Sequence, residues 1–461
     1  MTIPNTGFTT AEIMEMDRHL VHAFSDLNAL KQDGARTSIV AADGAYVTDS
    51  EGNRMLDGIA GLWCVNVGHG RQEIVRAIAE QLGRLDYYSV FYNLTHPGAA
   101  QLAEKIASLA PGALNHVYFG NSGSEANDSA IRILHNYFNR LGQPNKKKIL
   151  SRIGAYHGST HLAVAMTTPA FRAGWDSAEE LVHFLSSPYP YRRPDGMSEP
   201  EFLDFLIEEM EQAVEKIGAP NIACFIAEPI LGAGGVIVPP DGYHARSREV
   251  CRRNGIMYIS DEVVTAFGRL GHMFASQDAF GIEPDIITTA KGLTSGYQPM
   301  SATIVSEEIY DVVSGPDGLF LHGMTYSGHP AAAAAALANI AILEDEDICG
   351  HVRRMGPVFE AAIRTLGDLP IVGDIRGSHF MMGIEFVKDK ATKEIFAVTD
   401  RVGHRVARHA QNRGLVVRPL AHMAVMSPPL ILGQAEIDRM AEILGESIRA
   451  AADDMTREGL L

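Results

Sequence analysis

A chain of 461 residues is long for a single hydrophobic core, so two domains sharing an interface are expected. Hydrophobic residues at 46% with 21% charged exclude extended disorder. The formal charge of -17 argues against non-specific binding to nucleic acid or an anionic membrane. Cys64, Cys224, Cys251 and Cys349 are scattered with no CxxC pair, which gives neither a zinc site nor a disulfide framework and suits a reducing compartment.

The opening MTIPNTGFTTAEIMEMDRHL has no basic stretch leading into an apolar one, so no secretion signal is expected. No run approaches the roughly 20 apolar residues that span a bilayer. The alanine-rich tract 331–336 is short and reads as packed helix. The expectation is a soluble, cytoplasmic protein with no metal, no membrane and no nucleic-acid partner.

Residues 11–30 predict a helix, followed by short strands at 37–40 and 45–48 and a turn at 50–53. From about residue 73 the pattern alternates between helices and apolar strands. Strands are predicted at 116–120, 147–150, 222–230, 256–260, 285–290 and 301–305. Helices are predicted at 124–139, 200–217, 242–253 and 330–344. Continuous apolar strands between helices predict an α/β fold with a mostly parallel sheet covered on both faces. The last hundred residues read as α+β, with helices at 351–366, 400–413 and 434–457 and strands at 381–387, 415–419 and 424–428. The boundaries expected are 1–70 for a segment joining a small domain, 71–340 for a large domain, and 341–461 for the small domain itself.

Two strand ends carry the chemistry. IMYISDEVV ends in Asp261 and DIITTAKGL ends in Lys291, and open α/β sheets bind ligands beyond the carboxyl ends of their strands. One buried carboxylate and one partly desolvated amine suit a cofactor that needs a covalent amine anchor and an anion opposite a ring nitrogen. Pyridoxal phosphate has those needs. HVYFG then opens into Asn121-Ser122-Gly123-Ser124, a turn whose N–H groups, hydroxyls and helix dipole can hold a phosphate; a plain N-cap fits the same residues. Ser124 stands where a GxSxG elbow needs its last glycine, and no GxGxxG follows any strand. Tyr156 and His157, in GAYHG after another strand, could stack on a flat ring or serve only as turn residues. Glu228, in IAEPI, could organise the site through hydrogen bonds or pair with an arginine. Glu262, beside Asp261, is expected to be the less buried of the two.

These ordered motifs resemble the class III aminotransferases, pyridoxal-phosphate enzymes of fold type I, and among them the ω-transaminases that use pyruvate as amino acceptor. The resemblance runs over nearly the whole chain, from DSEGNRMLDGIAGLWCVNVGHG through GNSGSEAN, GAYHGS, AEPILGAGGVIVPP, SDEVVTAFGRLG and TTAKGLTSGYQP to HGMTYSGHP. It implies a large seven-stranded-type sheet domain and a smaller domain built from both termini. It also implies a homodimer with shared active sites. Lys291 would anchor the cofactor and move the substrate proton, Asp261 would pair with the ring nitrogen, and Tyr156 would stack on the ring. Ser122, Gly123 and Ser124 would bind phosphate, with Val263 beneath the ring and His157 and Glu228 nearby. Thr325 would reach the neighbouring subunit's phosphate.

Trp63, Phe91 and Tyr92 would wall the substrate pocket, and Arg418 would pair bidentately with the acceptor's carboxylate. Ala266, Leu270, Ser378 and His379 depart from the commoner family pattern, which leaves substrate range open. The donor is equally open between β-alanine, taurine, putrescine and aryl-alkyl amines. Rival readings are a class III decarboxylase, an aminomutase, or a cofactor-binding protein without catalysis.

Overall fold

The computed structural model describes residues 7–33, 37–316 and 318–461, so residues 1–6 of the segment read for a secretion signal lie outside it. The N-terminal helix expected over 11–30 is two helices, Thr10–Asp17 and Leu27–Asp33. Thr9 and Glu12 form a capping box on the first. Asp26 Oδ1 accepts from the N–H groups of Asn28 and Ala29, both at 3.0 Å, and so starts the second. Between them Phe24 takes a left-handed φ of 51°, which no helix continues through.

Three strands follow, β1 (Ile39–Asp43), β2 (Tyr46–Asp49) and β3 (Arg54–Asp57), paired antiparallel in that order. The central sheet comprises β4 (Leu114–Gly120), β5 (Lys148–Arg152), β6 (Val182–Leu185), β7 (Ile222–Ala227), β8 (Met257–Asp261), β9 (Ile286–Thr289) and β10 (Ser301–Ser306). Its spatial order is β4-β10-β9-β8-β7-β5-β6. Pairings from β9 to β6 are parallel, and β10 alone runs antiparallel to both its neighbours.

Alternation along these strands explains the two covered faces. Cys224 and Ile226 on β7, with Ile259 on β8, pack against Ala130, Leu134 and Tyr137 of the helix Gly123–Arg140. Phe225 and Tyr258 point the other way, into Phe202, Leu206 and Met210 of the helix Glu199–Ile217 and Val250 of Tyr243–Arg253.

The last part of the chain contributes β11 (Val372–Ser378), β12 (Met381–Asp389), β13 (Glu394–Ile395), β14 (Leu415–Val416), β15 (Arg418–Leu420) and β16 (Met423–Met426). β11, β12, β16 and β15 form an antiparallel sheet with β13 on its side, whereas β14 joins β3 in parallel and so ties the two ends of the chain together. β3, β6, β11 and the two-residue β13 were not expected. β3 and β6 have four residues each, and β11, VGDIRGS, carries two glycines and an aspartate that read as turn. Among the described residues no helix is long and apolar enough to cross a membrane.

Candidate active site

β4, β5, β7, β8 and β9 share one direction, so their C-terminal ends open on the same edge of the central sheet. The residues following those ends interlock through glycines. Ser122 caps the helix Gly123–Arg140, accepting from Glu125 N at 3.3 Å, so its hydroxyl serves the helix itself. Ser124 Oγ accepts from Ser159 N at 3.0 Å. A Cβ at Gly158, where φ is 138°, would stand 2.4 Å from Ser124 Oγ, and one at Gly123 would stand 3.0 Å from the Val263 methyls. The phosphate turn, the Tyr156 turn and the Asp261 turn therefore close into one cradle that side chains would fill.

Asp261 is buried and held from three sides. His157 Nδ1 lies 2.7 Å from Oδ2, Asn127 Nδ2 donates to the same oxygen at 2.8 Å, and Val263 N donates to Oδ1 at 3.1 Å. His157 Nε2 is buried without a hydrogen-bond partner, which places the ring proton on Nδ1, donating to Asp261. His157 thus lies behind the carboxylate. Asn127 was missed from the sequence. Its Nδ2 also bonds His157 O at 2.7 Å, and its Oδ1 accepts from Thr288 Oγ1 at 2.7 Å, so one amide joins the phosphate helix, the Tyr156 turn and β9. Its place one turn beyond Ser122–Ser124 in GNSGSEAN was the available signal.

Glu228 is buried and makes no pair with an arginine side chain. It accepts from Tyr156 N at 3.0 Å and from Gly232 N at 2.8 Å, and burial pushes its carboxyl above the usual range. Glu262, expected to be the less buried, is fully buried. It accepts from Ala275 N at 2.6 Å and Ser276 N at 2.9 Å and caps the helix Ala275–Phe280. An acid next to a site acid can itself be structural when two orphan N–H groups meet it.

Lys291 adopts a left-handed φ of 40°, a conformation that costs of order 1–3 kcal/mol and needs external support. Asn339 supplies it, donating to Gly292 O at 2.8 Å and Leu293 O at 3.0 Å. Asn66 packs where a Cβ on residue 292 would stand 2.3 Å from its Nδ2, so only glycine fits after the lysine. Among the described residues the Lys291 amine has no hydrogen-bond or ion-pair partner, and burial lowers its pKa.

Tyr156 has its hydroxyl 2.9 Å from Ser159 Oγ and meets Phe24 and Phe171 edge-on at 5.9 and 6.1 Å. Phe24 therefore reaches the site from the break between the first two helices, a place the expectation of a continuous helix concealed. Arg418, on β15, forms no side-chain hydrogen bond or ion pair; burial lowers its pKa, and the neighbouring Tyr156 hydroxyl opposes that shift. Trp63 is buried with Val236, Met381 and Val425. The contacts of Phe91, Tyr92 and Thr325 are with residues outside the cradle. Phe91 abuts Gly323 and Tyr92, Thr325 O accepts from Tyr87 at 2.6 Å, and Tyr92 is 96% exposed.

The family model for class-III aminotransferases matches residues 29–448. The chain belongs to the class-III aminotransferases. The aminotransferase is 43% identical to a putrescine–pyruvate aminotransferase of Pseudomonas aeruginosa, over 95% of each chain. Its structure is similar to that of a thermostable (S)-enantioselective ω-transaminase from Thermomicrobium roseum, with a TM-score of 0.93 and 40% identity, covering 97% of this chain and 99% of that one. An ω-transaminase from Pseudomonas jessenii in complex with PMP is likewise similar, with a TM-score of 0.93 and 35% identity over 97% and 99%.

The fold is that of the fold-type I enzymes, and the cofactor is pyridoxal 5′-phosphate. The cradle fits it: a helix N-terminus for the phosphate, a buried carboxylate for the ring, and a half-buried amine for the carbonyl carbon.

Proposed function

We propose that the protein is a pyruvate-dependent ω-transaminase, moving an amino group from a primary amine or ω-amino acid to pyruvate or a similar 2-oxo acid in two stages. The half-buried Lys291 amine, with no partner among the described residues and beside a cradle that also presents Asp261, is the observation that carries this reading. When bound, pyridoxal phosphate supplies an electron-withdrawing ring that accepts the electron pair left behind as a substrate C–H bond breaks. Asp261, kept in place by His157, Asn127 and Val263 N, retains a proton on the ring nitrogen. Lys291 anchors the cofactor, and once displaced its Nζ takes the proton from the substrate carbon and returns it one position away. A depressed pKa suits a base that must act uncharged near neutrality.

Tyr156 stacks on the ring, fixed from behind by Glu228. Gly123, Ser124 and the first N–H groups of the helix hold the phosphate, with Ser122 ordering that turn. Arg418 offers the acceptor carboxylate a guanidinium that no group among the described residues already holds. Trp63, Tyr156 and Phe24 give the donor an aromatic wall. The identity to a putrescine–pyruvate enzyme supports a donor amine of that kind.

A second copy of the chain completes the site. Tyr88, Tyr92, Leu319, Leu321 and Tyr326, in the two segments that carry Phe91 and Thr325, are exposed, and apolar surface of that kind suits a subunit interface. Four free thiols suit a reducing compartment such as the cytoplasm.

The decisive experiment uses Lys291→Ala. The expected protein still binds the cofactor but shows no amine-dependent bleaching and no alanine formation from pyruvate. Full turnover in this variant would overturn the assignment.

A further inference from the structure

Arg418 is the last member of a row of four residues that crosses the C-terminal sheet. Arg376 on β11 pairs with Gly383 on β12, Gly383 with Val425 on β16, and Val425 with Arg418 on β15. Directly opposed residues share a face, so both arginines project from the same side of the sheet. In the adjoining row Asp374, Glu385, Met423 and Leu420 stand on that same side. The turn after Glu228 lies on the middle of the row: a Cβ at Gly383 would come within 2.8 Å of Gly235 O and 3.2 Å of Val236 Cβ.

The far end of the row is tied to the central layer by an ionic cluster that the chemistry above does not use. Glu385, 1% exposed, accepts from Arg192 Nε at 2.9 Å, from Arg376 Nη1 at 3.1 Å and from the Tyr189 hydroxyl, and His422 Nε2 stands 3.6 Å away. Arg376 Nε donates to Gly235 O at 2.8 Å, and its guanidinium lies 4.5 Å above the Tyr189 ring. Tyr189 and Arg192 belong to the segment following β6, which Glu209 of the helix Glu199–Ile217 secures through Ser186 at 2.9 and 2.8 Å. One row therefore carries a fully bonded arginine at one end and an unbonded one at the other.

We propose that the Glu385–Arg376–Tyr189 cluster is a positioning latch for Arg418, setting where its guanidinium stands over the site and thereby the efficiency of the 2-oxo acid half of the reaction. Pinning β11 and β12 to the central layer fixes the sheet against which β16 and β15 are aligned. The amine half does not need the guanidinium and is indifferent to the latch. The inference rests on Arg418 as the acceptor carboxylate's partner.

The test compares holoenzyme variants with pyruvate and with an amine that carries no carboxylate, 1-phenylethylamine, since kcat/KM for each substrate of a two-stage cycle reports its own stage. Tyr189→Phe removes one bond to Glu385 and keeps the ring beneath Arg376; Arg192→Lys keeps the charge and loses the planar fork, and carries the test if Tyr189→Phe does not fold. Each is expected to lower kcat/KM for pyruvate about fivefold and to leave that for the amine within about twofold, the scale of long-range coupling through packed networks. In an Arg418→Ala background the same substitutions should change the pyruvate value by less than about twofold. Equal losses for both substrates, no loss for pyruvate, or an undiminished loss without Arg418 would overturn the latch. Arg418→Ala alone separates the two readings: an unchanged pyruvate value overturns the role of Arg418 itself, whereas a large loss there with a failed cycle overturns only the latch.

Discussion

Glu228 at the cofactor cradle and Glu385 between the two sheets are both buried carboxylates, 5% and 1% exposed, and their surroundings differ sharply. Glu228 receives two backbone N–H groups and no side-chain donor. Glu385 receives two guanidinium groups and a phenol, with an imidazole beside it. Burial pushes both carboxyls upward. For Glu228 that push prevails, against the opposing influence of His157. For Glu385 the neighbouring His422 imidazole, the Arg376 charge and the Tyr189 and Arg192 bonds outweigh it and bring the carboxyl down to about 2.

The cations divide in the same way: Lys291 and Arg418 at the cradle have no partner, while Arg376 and Arg192 are fully engaged. Where a ligand must bring charge of its own, the protein leaves charge uncompensated. Where two layers only have to stay together, it compensates it fully.

The largest effect that could break this contrast is the stability loss in Glu385→Gln. The buried Arg376 would be left with Asp374 alone and the part-exposed Arg192 without a carboxylate, and breaking a buried pair from one side costs about 3–5 kcal/mol. Chemical denaturation of the apoprotein should show a lower midpoint at unchanged slope, with the change lying outside the cofactor site. A loss below about 1 kcal/mol would place this cluster with ordinary surface ion pairs and dissolve the contrast.

The acid limb of the stability curve sharpens it further, because the two carboxylates respond with opposite sign. Glu385 has a folded pKa of about 2 against an ordinary 4.5. Its contribution is therefore complete above about pH 4.5 and is lost as the pH falls toward 2, on the order of 3 kcal/mol in all. Glu228 is displaced upward, so the folded chain takes its proton first and gains stability as the pH falls through that raised value. Urea titrations of the apoprotein from pH 7 to 3 should show a flatter acid limb in Glu385→Gln and a steeper one in Glu228→Gln. The same change in both would leave the contrast without physical content.

What could be read from the sequence follows the same division. Asp261, Lys291 and the Ser122–Ser124 turn stood out because buried parallel strands are unbroken apolar runs, and a charged or Gly-rich residue at their ends interrupts them visibly. Asn127 did not stand out, since its partners His157, Asp261 and Thr288 are distant in the chain and a polar residue on a helix carries no mark of burial. Glu262 was misjudged for the converse reason: two N–H groups at a helix start thirteen residues later bury it, and nothing local announces them. Phe24 was hidden by a helical pattern that the Asp26 cap interrupts. Arg418 could be aligned by resemblance, but its lack of any partner is a property of the whole packing.

The smallest expected effect is the most informative about the cradle. If Arg418 is held ready for a ligand, its charge contributes nothing to the fold, and burial already depresses its pKa. Replacing it with Met keeps most of the apolar stem and removes the uncompensated charge. Arg418→Met should therefore leave the apoprotein's denaturation midpoint unchanged or slightly raised, within about 1 kcal/mol. Arg376→Met, one row-length away on the same face, should behave in the opposite way, since it takes one of the two guanidinium partners of Glu385 and frees Gly235 O. Two arginines in one cross-strand row, substituted identically, would then differ by several kcal/mol in what they do for the fold. A comparable loss in both would mean that Arg418 carries structural load after all, and that its open guanidinium is not reserved for an acceptor.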